Sequence, residues 1–188
     1  MGFNTLFTTT YRWRRNSGVG LEHLHINSCE NNIIISSVVI GEDEDRQFGV
    51  NYTIICAADW TVRSFKIENT EGNDLSLHSD GEGNWYNQDG SHRASVSGAI
   101  DIDLSGTPFT NTLPIRRLNK HQAGYSQRFK VLYIPFHTLQ PRLDRQQYSC
   151  LKPYKTYRYE SLARDFSADL EVDTNGVVLD YPELFTKI

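Results

Sequence analysis

Asp101 and Asp103, separated by one residue, are a pair whose types and spacing could do chemistry. They alternate with Ile100, Ile102 and Leu104, so in a strand both carboxylates leave the face opposite the apolar one. Two neighbouring carboxylates whose environments separate their pKa values can serve as acid and base in glycoside hydrolysis. The same aspartates could equally bind nearby arginines. Arg116 and Arg117 lie close by, in the stretch Thr107-Pro108-Phe109-Thr110-Asn111-Thr112-Leu113-Pro114-Ile115-Arg116-Arg117-Leu118. Paired guanidinium forks suit a carboxylate or a phosphate. Two prolines and three threonines rule out a long helix, and the stretch is expected to be an ordered loop entering a short edge strand. Asn111 and the threonines would satisfy local backbone groups there.

Other candidate chemistries are weaker. His23 and His25 share a strand face while Glu22 points the other way, and no third ligand is in register, so no metal site is expected. Cys29, Cys56 and Cys150 are odd in number and widely spaced, which fits neither a disulfide framework nor zinc. Cys56 sits in an alternating apolar strand and reads as a buried, inert thiol. The sequence has no Walker loop, dinucleotide fingerprint, zincin helix or GxSxG elbow, and no cofactor is expected. Aromatic residues are a better lead. Trp13, Trp60, Tyr148, Tyr157, Tyr159 and Tyr181 fall in strands that also carry polar residues. Such faces pack a core, or receive a sugar ring or acyl chain while a phenol supplies a hydrogen bond.

The elements that must position these residues are strands. Phe48, Val50, Tyr52, Ile54 and Cys56 share one parity, and Phe166, Ala168, Leu170 and Val172 alternate with Ser167, Asp169, Glu171 and Asp173. Asn175-Gly176 then predicts a hairpin returning through Val177 to Tyr181. Further strands are expected over Tyr11–Arg15, Leu21–Ile26, Ile33–Ile40, Trp60–Ile67, Leu75–His78, Ile100–Leu104, Gln127–Leu139, Gln146–Leu151 and Lys155–Tyr159. Glycine-rich turns at 71–73, 80–83 and 88–91 separate several of them. In Trp60–Ile67 the apolar phase slips, which predicts a bulge near Arg63-Ser64. Ser161–Asp165 is the best candidate for a short helix.

The 188 residues suffice for one core, and neither a repeat nor a composition break divides them. Ten tyrosines, nine phenylalanines and three tryptophans exclude overall disorder. So many strands with so little helix predict a mainly β, single-domain curved antiparallel sheet over 1–188, a spiral β-roll or open barrel. The longest apolar run, Ile33–Ile40, is too short to span a bilayer, and residues 1–10 lack a signal-peptide pattern, so the expected location is the cytoplasm. The net charge of −4 hides a separation: residues 104–143 contain no acid and six cations, whereas 165–188 carry six acids and one lysine. That points to local recognition of an anionic group, or to pairing between the two segments, rather than to nucleic-acid binding.

The stretch 107–118 resembles the bacterial family called putative glycolipid-binding proteins. Supporting matches are Trp13 with Gly20-Leu21-Glu22, Asp59-Trp60 with Arg63, Gly83-Asn84-Trp85, and Asp101-Ile102-Asp103-Leu104. They continue through Gln147-Tyr148, Tyr157-Arg158-Tyr159, Asp173, Gly176 and Asp180-Tyr181-Pro182 with Leu184-Phe185. The resemblance implies a spiral β-roll related in shape to carriers of lipoproteins, with no catalytic residues and no required cofactor. Two departures stand out: Ala99 occupies a place that is commonly Cys in the family, and the acidic stretch Glu42-Asp43-Glu44-Asp45 is unusual. The expected partner is a glycolipid or related amphipathic small molecule. Its head group is expected near Asn111, Arg116 and Arg117, with Trp13, Glu22, Trp60, Arg63, Asp101, Asp103, Tyr148, Tyr159 and Tyr181 as further contacts. The alternatives are an enzyme acting on a sugar-containing ligand through Asp101 and Asp103, and a protein-interaction module.

Overall fold

The computed structural model describes residues 2–43 and 46–188; Met1 and, of the acidic stretch, Glu44 and Asp45 lie outside the described residues. Period-two alternation organises nearly all of the chain into one sheet. Its first half is a meander of β1 (Thr8–Arg15), β2 (Gly20–Ser28), β3 (Asn32–Asp43), β4 (Arg46–Ala57), β5 (Val62–Asn69), β6 (Asp74–Ser79) and β7 (Trp85–Tyr86). The second comprises β8 (Asp101–Leu104), β9 (Ser126–Ile134), β10 (Arg142–Lys152), β11 (Thr156–Ser161), β12 (Phe166–Val172), β13 (Val178–Tyr181) and β14 (Phe185–Lys187). The strand order is β7-β6-β5-β4-β3-β2-β1-β14-β13-β12-β11-β10-β9-β8. The two meanders are therefore joined where the first and last strands pair, with Trp13 opposite Lys187.

The sheet curls without closing. Its edges β7 and β8 do not pair; instead the Trp85 indole donates to the Ala99 carbonyl at 2.8 Å and the Gly98 amide donates to the Gly83 carbonyl at 2.7 Å. Gly83 has φ +101°, and a Cβ there would lie 3.0 Å from the Gly98 Cα, so only glycine lets the seam approach this closely. The pairings are antiparallel except for β8 with β9, which is parallel. That pair lies deep in the spiral: Val131 belongs to one apolar cluster and Leu132 to the other, so β9 is buried on both faces, as parallel strands usually are.

Turn chemistry mostly acts as expected. Gly176 takes φ +75° in the β12–β13 turn, and Gly72 takes φ +84° between β5 and β6. The bulge is present, because Ile55 pairs with Ser64 and Cys56 with Val62, which leaves Arg63 as the extra residue. Trp60 is not in a strand; it turns the chain at φ +69°, and β5 begins at Val62. Likewise β9 stops at Ile134, because Pro135 has no amide for the ladder.

Two expectations are corrected. Ser161–Asp165 is no helix but the end of β11 and the turn into β12. The stretch 107–118 is no loop entering an edge strand. Phe109–Asn111 forms a 3-10 turn that runs into the one α-helix among the described residues, α1 (Thr112–Arg116). Pro114 is tolerated because it stands in the first turn, where amides lack intrahelical partners in any case.

Candidate functional site

Two cavities adjoin where β1, β2 and β3 of the first meander face β11 to β14 of the second. One, of about 210 Å³, is lined by Trp13, Val39 and Phe48 together with Arg15, Glu22 and Glu42. The other, of about 240 Å³, is lined by Asp103, Asn111, Tyr159, Ser161, Phe166 and Tyr181. Ser105, Tyr133, Arg164, Leu184 and Phe185 line both, so they are two compartments of one cleft. The first thus sets apolar side chains beside charged ones. Phenols, a hydroxyl and a carboxylate concentrate in the second.

Glu22 is the most unusual group in the cleft. It lies on β2 with 2% exposure. Its Oε1 accepts the Ser37 hydroxyl at 2.8 Å and the Tyr52 hydroxyl at 2.6 Å, and its Oε2 accepts the Thr107 hydroxyl at 2.5 Å. Burial pushes its pKa up to about 7, against the three hydroxyls that pull it down. Strand parity puts Ser37, Val39 and Tyr52 on the same inner face, which is why hydroxyls from β3 and β4 reach it.

Asp103 is held differently. Thr110 donates to its Oδ1 at 3.2 Å and the Gln146 amide to its Oδ2 at 2.6 Å. The Tyr148 hydroxyl lies 2.8 Å from Asn111 Oδ1 and 3.1 Å from Gln146 Oε1, so Asn111, Tyr148 and Gln146 form a chain ending on Asp103. Burial raises the Asp103 pKa while Gln146 and Thr110 oppose the rise. Beside it Tyr159 and Tyr181 line the same compartment, their rings 6.1 Å apart.

The stretch 107–112 thus fastens the cleft. Thr107 grips Glu22, Thr110 grips Asp103, Asn111 anchors Tyr148, and the Thr112 hydroxyl accepts the Val178 amide at 3.3 Å. The sequence singles out this stretch for its arginines, but neither arginine lines a cavity. The Arg116 guanidinium packs 4.2 Å over the Trp60 ring and donates to the carbonyls of Asn175 and Asn4. Arg117 donates to Asp101 at 2.8 Å, in an ion pair whose carboxylate is fully buried.

The residues expected to form the site therefore divide. Trp13 and Glu22 line the first compartment, and Asp103, Asn111, Tyr159 and Tyr181 line the second. Tyr148 stands behind the second compartment as a support. Trp60 and Arg116 stack elsewhere, and Arg63 donates to the Asp80 carbonyl in the turn before β7. Asp101 is spent on Arg117, so Asp103 is the one member of the aspartate pair that faces a cavity. Cys56 is buried with its thiol pKa pushed up by desolvation, as expected of an inert thiol. His23 and His25 engage their strand neighbours, Arg12 and Thr10, on the outer face. Among the described residues no cluster of His, Cys, Asp and Glu is arranged to hold a metal ion. Sequence reasoning missed Tyr52, Thr107, Tyr133, Gln146 and Arg164 as cleft residues. Only the parity of Tyr52 and Gln146, polar groups on inward faces, could have marked them.

Comparison with known proteins sharpens this description. A family model described as putative glycolipid-binding matches residues 10–187. The crystal structure of a DUF1089 family protein from Pseudomonas aeruginosa is similar at a TM-score of 0.81 and 36% identity, covering 94% of this chain and 95% of that one. No curated protein matches the sequence. Among the described residues no helix is long and apolar enough to cross a membrane.

Proposed function

This chain belongs to the putative glycolipid-binding family, and we propose that its two-compartment cleft holds an amphipathic ligand with a sugar head group, in a bacterial cytoplasmic binding protein. The observation that carries the reading is the shared wall of Ser105, Tyr133, Arg164, Leu184 and Phe185, which joins two compartments that each set apolar side chains beside charged or hydroxyl groups. An acyl chain would lie against Trp13, Val39 and Phe48. The head group would meet Asp103, Tyr159 and Tyr181, where a carboxylate accepts hydroxyl hydrogens and phenols offer both a ring and a donor.

This places the head group away from Arg116 and Arg117, whose guanidiniums are already engaged within the fold. Asn111 keeps a place at the compartment, but its carbonyl is occupied by Tyr148. Native mass spectrometry after gentle purification, followed by lipid extraction, tests the proposal. A copurifying amphipath of defined mass is expected. Absence of any such mass, together with no saturable binding across a glycolipid panel, would count against it.

A further inference from the structure

Five aromatic side chains, Tyr133, Tyr159, Phe166, Tyr181 and Phe185, line the second compartment together with the Asp103 carboxylate. Tyr159, Phe166 and Tyr181 come from the neighbouring strands β11, β12 and β13 and form a triangle, with ring centroids 6.1, 6.1 and 6.2 Å apart. Phe185, from β14, stands 6.4 Å beyond Tyr181. The face of an aromatic ring carries negative charge and attracts a cation. The fold already uses one of the five in this way, since Arg142 and Arg164 lie 4.8 and 5.3 Å from the Tyr133 ring centroid. Among the described residues no cation lies over the other four.

Asp103 is open to this compartment in a way that Glu22, 2% exposed, is not open to its own: it is only partly buried. Each of its oxygens accepts one hydrogen bond from the protein, from Thr110 and from Gln146, and a carboxylate oxygen can accept more than one. No ion pair within 4.0 Å joins it to a cation among the described residues. The charged groups acting on it from nearby, Asp144 and Arg164, are opposite in sign. A neutral sugar would use this arrangement in part, giving hydroxyl hydrogens to Asp103 and packing its ring on a phenol. A protonated amine uses all of it, being at once a charge-assisted donor to the carboxylate and a cation against the ring faces. We propose that the head group taken by the second compartment carries a protonated amine, as an amino sugar does, with its nitrogen on Asp103 and flanked by Tyr159, Phe166 and Tyr181. The inference rests on the reading of the cleft as a site for a sugar-headed amphipath.

Three probes below their micellar concentrations, titrated calorimetrically into the full chain at about pH 6.5, test this. They are dodecyl glucoside, dodecyl glucosaminide with its amine protonated, and the N-acetylated glucosaminide, which is neutral. The glucosaminide should bind about tenfold more tightly than the other two, the gain from a charge-assisted hydrogen bond. Asp103→Asn should bring the three affinities to within about twofold of one another. Phe166→Leu, at a position that is 36% exposed, removes one ring face; it should cut the amine's advantage about threefold and gives an independent reading if Asp103→Asn folds poorly. Equal affinity for glucoside and glucosaminide, or an advantage that survives in Asp103→Asn, would overturn the amine while leaving the sugar-headed amphipath site standing. No saturable binding of any probe would remove both.

Discussion

The Thr107 hydroxyl donates to the Glu22 carboxylate at 2.5 Å across a separation of 85 residues. That one contact ties the 107–118 stretch of the second meander to β2 of the first, at the wall of the cleft. Three residues on, Thr110 makes the corresponding contact to Asp103. Glu22 in the first compartment and Asp103 in the second are thus held by one short segment.

Asp103 and Asp101 should separate cleanly in function. Asp103→Asn is expected to weaken binding of a sugar-headed amphipath about tenfold, the effect of losing a charge-assisted hydrogen bond worth about 1.5 kcal/mol. Arg117→Met should leave that affinity unchanged but destabilise the fold by about 3–5 kcal/mol, because the fully buried Asp101 loses its partner. Calorimetric titration and urea unfolding of both variants check this.

Stability should fall as pH rises through the neutral range because of Glu22. Its pKa is raised on folding, from 4.5 to about 7, so the folded state binds the proton more tightly than the unfolded chain. The resulting stabilisation is complete below about pH 4.5, shrinks as pH rises, and is gone above about pH 7. A shift of this size corresponds to something on the order of 3 kcal/mol. The difference between parent and Glu22→Gln in urea unfolding, measured from pH 4.5 to pH 7.5, should follow that course; a constant difference would contradict it.

Arg116 should act as a clamp on the N-terminal strap. Its guanidinium stacks over Trp60 at 4.2 Å and Phe3 at 5.3 Å, and its fork reaches the carbonyls of Asn4 and Asn175. Arg116→Ala is expected to cost about 2 kcal/mol and to speed amide exchange in residues 2–7, with amphipath affinity unchanged. Arg116→Lys should rescue little, since an ammonium cannot make the planar fork.

Gly83 should be sensitive at the seam. With φ +101° and Gly98 backbone 3.0 Å from the position of a Cβ, Gly83→Ala must strain the turn and push β7 from β8. A loss of more than about 1 kcal/mol is expected, or about 2–4 °C in thermal midpoint for a chain of this length. Gly90→Ala, at an open position with φ +81°, carries the backbone strain without the contact and should cost less.

Much of the fold is legible in the sequence, because alternation and turn chemistry are local. The β12 pattern, the Asn175-Gly176 hairpin and the bulge at Arg63 all follow from neighbours a few residues apart. The pairing of β1 with β14 and the parallel β8–β9 pair are long-range events that no local pattern encodes. Asp103 shows what the site reading lacked. Its parity is read correctly, yet the face opposite the apolar one is not solvent, because the spiral covers it with β10 and the 109–111 turn. For the same reason Arg116 and Arg117, which look like exposed ligands for an anion, are consumed inside the fold.

The most direct test of the cleft assignment is an amide and methyl NMR titration of the full chain with dodecyl maltoside. The account predicts saturable shift changes at Ser105, Tyr133, Leu184 and Phe185 in the shared wall, extending to Val39 and Phe48 on one side and to Tyr159 and Tyr181 on the other. Changes confined to the outer strand face around His23, His25 and Val38, with the shared wall silent, would contradict it.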